Sequence, residues 1–206
     1  MTRVIASWNE KVFTVEWTRS RTAGSLNVVP TDIFMKLKPS FFVLLILVFF
    51  VTNLLHEGAH WLAGAAFGFD MRFGLNIVRY LSPAEPWQRA VTDAAGPALT
   101  ILQGLLAYAL VRRGASTMAF AFLYTAMFSR LTAGLVSVFH PNDEARVSMF
   151  LGLGKWTLPV LVAAGLIAVV VSASKRLGLH WKDQLACYVV ASLAVSAIVG
   201  LDRFVL

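Results

Sequence analysis

The chain has 206 residues, 58% of them hydrophobic and 14% charged, with a mean hydropathy of +0.70. A soluble domain averages about 45–50% apolar and about 25% charged residues, so this composition excludes an ordinary soluble globule and equally a disordered chain. A single cysteine excludes a disulfide framework and a cysteine-based metal cluster. The net charge of +7 points in so apolar a chain to a lipid bilayer and not to nucleic acid, because Lys and Arg collect at the cytoplasmic ends of spanning helices.

Residues 1–38 form a polar segment with six basic residues (Arg3, Lys11, Arg19, Arg21, Lys36, Lys38) and three acidic ones (Glu10, Glu16, Asp32). It has no apolar stretch followed by a small-residue cleavage site, so no removable signal peptide is expected. The residue mix over 12–17 predicts a short strand. The first long apolar run, 41–67, opens FFVLLILVFFVTNLL and exceeds the roughly 20 residues that cross a hydrocarbon core. Residues 68–92 break the pattern. Gly, Asn and Pro interrupt them, and Met71, Phe73, Leu75 and Ile77 alternate as strand residues do, which predicts a strand or hairpin. Irregular backbone at this depth has to be buried in protein or to line a wet cavity.

Four further spans are predicted near 93–111, 117–139, 156–173 and 185–201. In the first of these, Thr92 or Asp93 is the expected cap and Pro97 falls in the first turn. The fold class is therefore an all-α polytopic membrane protein of about five transmembrane helices, with a small membrane-associated β element between the first two spans. It divides into a polar segment, 1–38, and a membrane-embedded domain, 39–206. Basic residues gather in the N-terminal segment, at Arg112 and Arg113, and at Lys175, Arg176 and Lys182. With five spans these share one side, which places the N-terminus in the cytoplasm. A compact multi-pass chain without an organelle-targeting pattern fits a bacterial inner membrane.

The first span carries His56-Glu57-Gly58-Ala59-His60. Helical residues four apart lie on one face one turn apart, so His56 and His60 present two imidazoles to a single point. Glu57 follows the first histidine and can reach a water on a metal held there. Zinc takes imidazole nitrogen, keeps one position for water in catalytic sites and lowers the pKa of that water toward 7. An HExxH match arises by chance in polar helices. In a lipid-embedded helix, two histidines and a glutamate are unfavourable by several kcal/mol unless paired or functional, which makes one zinc ion per chain the expected cofactor.

A third ligand is expected from the segment HPNDEAR, 140–146, which follows the third span and reaches the same side as the end of the first. Asp143 is preferred because a carboxylate completes a His₂-carboxylate site with an open water position. Glu144 and His140 are rivals, and the bland alternative is a polar turn. Arg130 lies within the third span and has to face the bundle or a cavity. There it pairs with Asp93, supports Asp143 or stabilises an oxyanion, with snorkelling as the plain alternative. Asn53, one turn before Glu57, is expected to pack between helices, or else to bond backbone or a group that supports the site. Gly64 and Gly68, in small-xxx-small spacing, predict close helix contact. Trp87, Trp156 and Trp181 are expected at membrane interfaces.

These residues resemble the site-2 protease family of intramembrane zinc metalloproteases (peptidase family M50). The likeness rests on LLHEGAHWLAG within an apolar helix, on the strand-like GFDMRFGLNIVRY after it, and on DAAGPALT opening the next span, covering roughly 41–146. The resemblance implies zinc on His56 and His60, Glu57 as general base, and an aspartate ligand from the third core helix, which Asp143 matches by order. The family carries that aspartate in a Pro-rich sequence ending Asp-Gly, where this chain has HPNDEAR.

The function expected is a zinc-dependent endopeptidase acting on a transmembrane or membrane-associated protein, with room for an unidentified regulatory membrane protein. The substrate would add as a strand to 71–79. Three alternatives stand beside it: an HExxH membrane protease of the M48 type with Glu144 as ligand, a catalytically inactive membrane partner or chaperone, and a small transporter.

Overall fold

A computed structural model describes residues 5–8, 11–14, 37–114 and 116–205. The chain divides into two units, 1–32 and 33–206. In the first, β1 (Ile5–Trp8) pairs antiparallel with β2 (Lys11–Thr14), Ile5 opposite Thr14. The strand expected over 12–17 falls partly on β2, and residues 15–17 lie outside the described residues.

The second unit is helical. In order it comprises α1 (Pro39–Ala66), β3 (Met71–Arg72), β4 (Arg79–Tyr80), α2 (Pro86–Gly114), α3 (Thr117–Val136), α4 (Asp143–Phe150), α5 (Thr157–Arg176) and α6 (Trp181–Val205). Five helices, all but α4, are long and apolar enough to cross a membrane, so this is a multi-pass membrane protein. The 28 residues of α1 extend about 42 Å, well beyond a hydrocarbon core of about 30 Å.

More than half of the central stretch of α3 is buried (56%), against a third or less in the other spans, so α3 is the middle of the bundle. Phe41, Leu45 and Phe49 of α1 pack with Phe120, Leu123 and Phe128 of α3 and with Leu166 and Val170 of α5. Gly104 lets α2 approach this core: a Cβ there would lie 3.1 Å from the Ala126 Cβ and 3.2 Å from the Leu166 Cδ2.

Two helices begin earlier than their apolar runs. α2 starts at Pro86, not near 93, and Gln88 Oε1 accepts the Glu85 amide at 3.0 Å. α6 starts at Trp181, not 185, and Asp183 Oδ2 accepts the His180 amide at 2.9 Å. Each start is half of a capping box, in which the side chain at the third helical position bonds back to the cap amide. Pro97 accordingly lies inside α2 and not in its first turn.

HPNDEAR opens α4 instead of a plain turn. Asn142 caps it, its Oδ1 accepting the Ala145 amide at 3.0 Å, and Asp143 and Glu144 in the first turn suit the helix dipole. The alternation over 71–77 does not make a long strand. Met71 opposes Tyr80 and Arg72 opposes Arg79, and 73–78 form an unpaired loop. The Gly64 expectation is also corrected: its missing Cβ admits the Met71 side chain, at 2.7 Å, and not another helix. Gly68 lies beyond α1 with a φ of 78°, in the left-handed region that glycine adopts without strain.

Candidate metal centre

The ends of α1, α3 and α6 and the starts of α2 and α4 meet at one end of the bundle, because successive spans alternate in direction. A cavity of about 460 Å³ opens there, lined by His56, Glu57 and His60 of α1, by Thr92 and Asp93 of α2, by Arg130 of α3, and by Asp143 and Arg146 of α4. Val195, Ile198 and Val199 of α6 form an apolar wall, and Asn76, Ile77 and Val78 of the β3–β4 loop close another side.

Three ligating atoms converge in it. His56 Nε2 lies 3.1 Å from His60 Nε2 and 3.2 Å from Asp143 Oδ2, and His60 Nε2 lies 3.3 Å from that same oxygen. A tetrahedral zinc with ligands at about 2.0–2.1 Å sets neighbouring ligand atoms about 3.3–3.4 Å apart. The triangle therefore suits a small tetrahedral cation with its fourth position free.

Hydrogen bonds on the far side of each ring fix the tautomers. His60 Nδ1 is 2.7 Å from the Thr92 carbonyl, which can only accept, so Nδ1 carries the proton. His56 Nδ1 is 3.0 Å from Thr100 Oγ1. That hydroxyl gives its own proton to the Gly96 carbonyl at 3.0 Å and is left to accept from His56. In their neutral forms both imidazoles thus turn bare Nε2 lone pairs toward each other and toward a carboxylate. Three acceptors at hydrogen-bond distance with no donor between them repel one another, and a cation relieves that repulsion. The arrangement of a ligand histidine donating its second nitrogen to protein oxygen is the usual support of a metal site.

Gly96 makes the approach of α2 possible. A Cβ on it would collide with His60 Nε2 and lie 2.6 Å from His56 Cε1. The next residue, Pro97, brings no amide proton for the Asp93 carbonyl and crowds it, one residue from the carbonyl that holds His60.

Among the described residues, His56, His60 and Asp143 are the group of His, Cys, Asp or Glu side chains close enough to share an ion. The two rivals to Asp143 lie elsewhere. Glu144 is buried and turned away, its Oε1 accepting from Arg130 at 3.0 Å and its Oε2 from Asn142 at 2.6 Å. His140 is exposed and lines the cavity without joining the triad. Arg130 pairs with Glu144 and not with Asp93, and its Nη1 is 3.9 Å from Asp143 Oδ2. Asp93 instead accepts two bonds from Arg146. Asn53, read from sequence as helix packing or a backbone bond, donates to the Leu75 carbonyl.

Sequence reasoning missed Thr100, Thr92, Gly96 and Arg146 as supports. Thr100 and Gly96 carried a signal, standing four apart beside a proline in an apolar span. It also missed Asp202 near the end of α6, whose Oδ1 accepts the amides of Leu75 at 2.7 Å and Asn76 at 3.0 Å. The Leu75 carbonyl and these two amides, within the 71–79 stretch read as a site of strand addition, are thus already bonded.

Compared with protein-family models, curated proteins and solved structures, the chain finds no match in any of the three.

Proposed function

We propose that the chain is a zinc-dependent intramembrane endopeptidase. The observation that carries this reading is the convergence of the His56 and His60 Nε2 atoms and an Asp143 carboxylate oxygen, with Glu57 lining the same cavity. His56, His60 and Asp143 would hold the ion. A zinc ion held there would supply Lewis-acid polarisation of a scissile carbonyl and a bound water whose pKa lies at about 7. Glu57, lining the same cavity, would serve as the general base toward such a water and return the proton to the leaving amine. Thr100 and Thr92 keep the imidazoles in their ligating tautomer throughout. The apolar wall from α6 and the Asn76–Val78 side of the loop suit an uncharged, extended stretch of a membrane protein. A helix has to unwind locally to enter, because its carbonyls are otherwise tied up in its own hydrogen bonds. The Glu144-based M48 alternative loses its ligand, since both Glu144 oxygens are already bonded.

The basic last turns of α2 (Arg112, Arg113) and α5 (Lys175, Arg176) lie at the end of the bundle opposite the cavity. With the positive-inside rule this supports a site in the non-cytoplasmic half of the membrane, which on this proposal is a bacterial inner membrane.

Zinc analysis of detergent-purified protein tests the reading. About one zinc per chain is expected in wild type and in Glu57→Gln, and none in His56→Ala, His60→Ala or Asp143→Ala. Wild type should cleave an unstructured reporter, fluorescently labelled casein in micelles, and Glu57→Gln should not. A folded wild type that takes up no zinc after supplementation overturns the proposal.

A further inference from the structure

Resting on the metal reading above, we propose that Arg146 and Asp93 are positioning residues that aim the third ligand. Asp143 comes from a short helix outside the spanning bundle, so α1 alone does not fix where its carboxylate points. Its Oδ2 faces the two histidines and its Oδ1 accepts from Arg146 Nη2 at 2.6 Å. The same guanidinium donates through Nε to Asp93 Oδ2 at 2.7 Å and through Nη2 to Asp93 Oδ1 at 3.1 Å. Its Nη1 donates to the Pro141 carbonyl at 3.0 Å. Four donations from one planar group thus tie α4 and the residues before it to α2, the helix whose Thr92 carbonyl and Thr100 hydroxyl fix the histidines.

The clamp specifies which carboxylate oxygen is left for the metal. Arg146 takes Oδ1, so Oδ2 is the atom presented. Only a planar fork satisfies two carboxylates and a carbonyl at once, and a lysine ammonium does not reproduce that geometry. Arg130 does not substitute for Arg146, being bonded to Glu144 and 3.9 Å from Asp143.

Zinc affinity of the full-length detergent-purified protein, measured by competition with a chromogenic chelator, tests this. Arg146→Ala should weaken zinc binding about 10- to 100-fold, the range for losing a group that orients a ligand. Arg146→Lys should fall between Arg146→Ala and wild type. Asp93→Ala should weaken binding too, and the double variant should bind no more weakly than Arg146→Ala alone, because both act through one carboxylate. Cobalt loading gives a second readout, since a misplaced carboxylate changes the visible absorption of a tetrahedral site. Should Arg146→Ala not fold, Asp93→Asn removes the charge while keeping the shape, and should also weaken binding. The proposal is overturned if the folded Arg146→Ala or Asp93→Asn variant binds zinc like wild type while melting earlier, which would make the clamp purely structural. Losses that multiply in the double variant also overturn it. A wild type that takes up no zinc overturns the metal reading itself.

Discussion

Gly96→Ala is a small change with a large expected effect. The added Cβ would collide with His60 Nε2 and sit 2.6 Å from His56 Cε1 and 2.8 Å from His56 Nδ1, closer than real Cβ contacts come. The strain has three outlets, and each disturbs the metal centre. The imidazoles are held by Thr92 and Thr100 on α2 itself, so rotating them away breaks those bonds. Sliding α2 outward opens the close packing at Gly104, where the spacing to Ala126 and Leu166 is already tight. Shifting the histidines along α1 separates them from Asp143. Overpacking of this kind is unfavourable by about 1–3 kcal/mol. If it falls on the holo geometry, that is about a 5- to 160-fold loss of zinc affinity. Gly165→Ala in α5 is the control, since a Cβ there meets nothing within 4 Å and should be neutral or stabilising by up to about 1 kcal/mol. Chelator competition and thermal unfolding of both variants give the answer. A Gly96→Ala protein that binds zinc as tightly as wild type refutes the close approach of α2 on which the centre is built.

Thr100→Val removes the acceptor for His56 Nδ1 and should weaken zinc binding about 10-fold or more, whereas Thr100→Ser should not; equal affinities in all three proteins would show that the tautomer is not set there. Glu144→Ala removes the carboxylate that Arg130 is bonded to and leaves only Asp143 Oδ2, 3.9 Å away, so it should lower stability by up to about 3 kcal/mol with zinc stoichiometry unchanged, and loss of zinc with unchanged melting would restore Glu144 as a ligand. Asp202→Ala frees the amides of Leu75 and Asn76, so limited proteolysis within 73–78 should accelerate several-fold, and wild-type cleavage rates would show that the carboxylate does not hold the loop.

The spans were legible because 18 or more apolar residues have few other destinations, and α1, α3 and α5 fall close to where their apolar runs lie. The helix starts were legible only in part. Gln88 and Asp183 set them through bonds to the cap amide, in polar stretches where hydropathy gives no signal. The histidine pair was legible because it lies within one helical turn and follows from helix geometry alone. The partners that fix it are 32 to 87 residues away. Which of Asp143, Glu144 or His140 faces the histidines depends on how α4 is rotated. That rotation is set by the Asn142 cap, by Arg146 reaching Asp93 and by Arg130 holding Glu144, and none of these pairings has a signature in spacing. The alternation from Met71 to Ile77 misled for a related reason: Asp202 and Asn53 take the backbone groups that a strand partner would have used.

A polar cluster inside an apolar bundle is either closed, with every donor matched to an acceptor, or short of something. Most of this one is closed. Arg130 meets Glu144, Glu144 meets Asn142, Arg146 meets both Asp93 and Asp143, and each histidine Nδ1 has an oxygen. What is left over in it, among the described residues, is the buried Arg130 Nε and the Thr92 and Tyr80 hydroxyls, which have no hydrogen-bond partner, and the two histidine Nε2 atoms and one carboxylate oxygen facing a common point. The charges lining the cavity lean negative, since Glu57, Asp93 and Asp143 stand against Arg130 and Arg146. Glu144 and Asp202 beside it add to the negative excess. Partly satisfied buried networks are worse than apolar packing, so a cluster serving only to pack helices has little reason to bring three potential ligand atoms together. On the reading proposed above the missing member would be a small cation, and the three atoms that would hold it are each supported from α2 or α4.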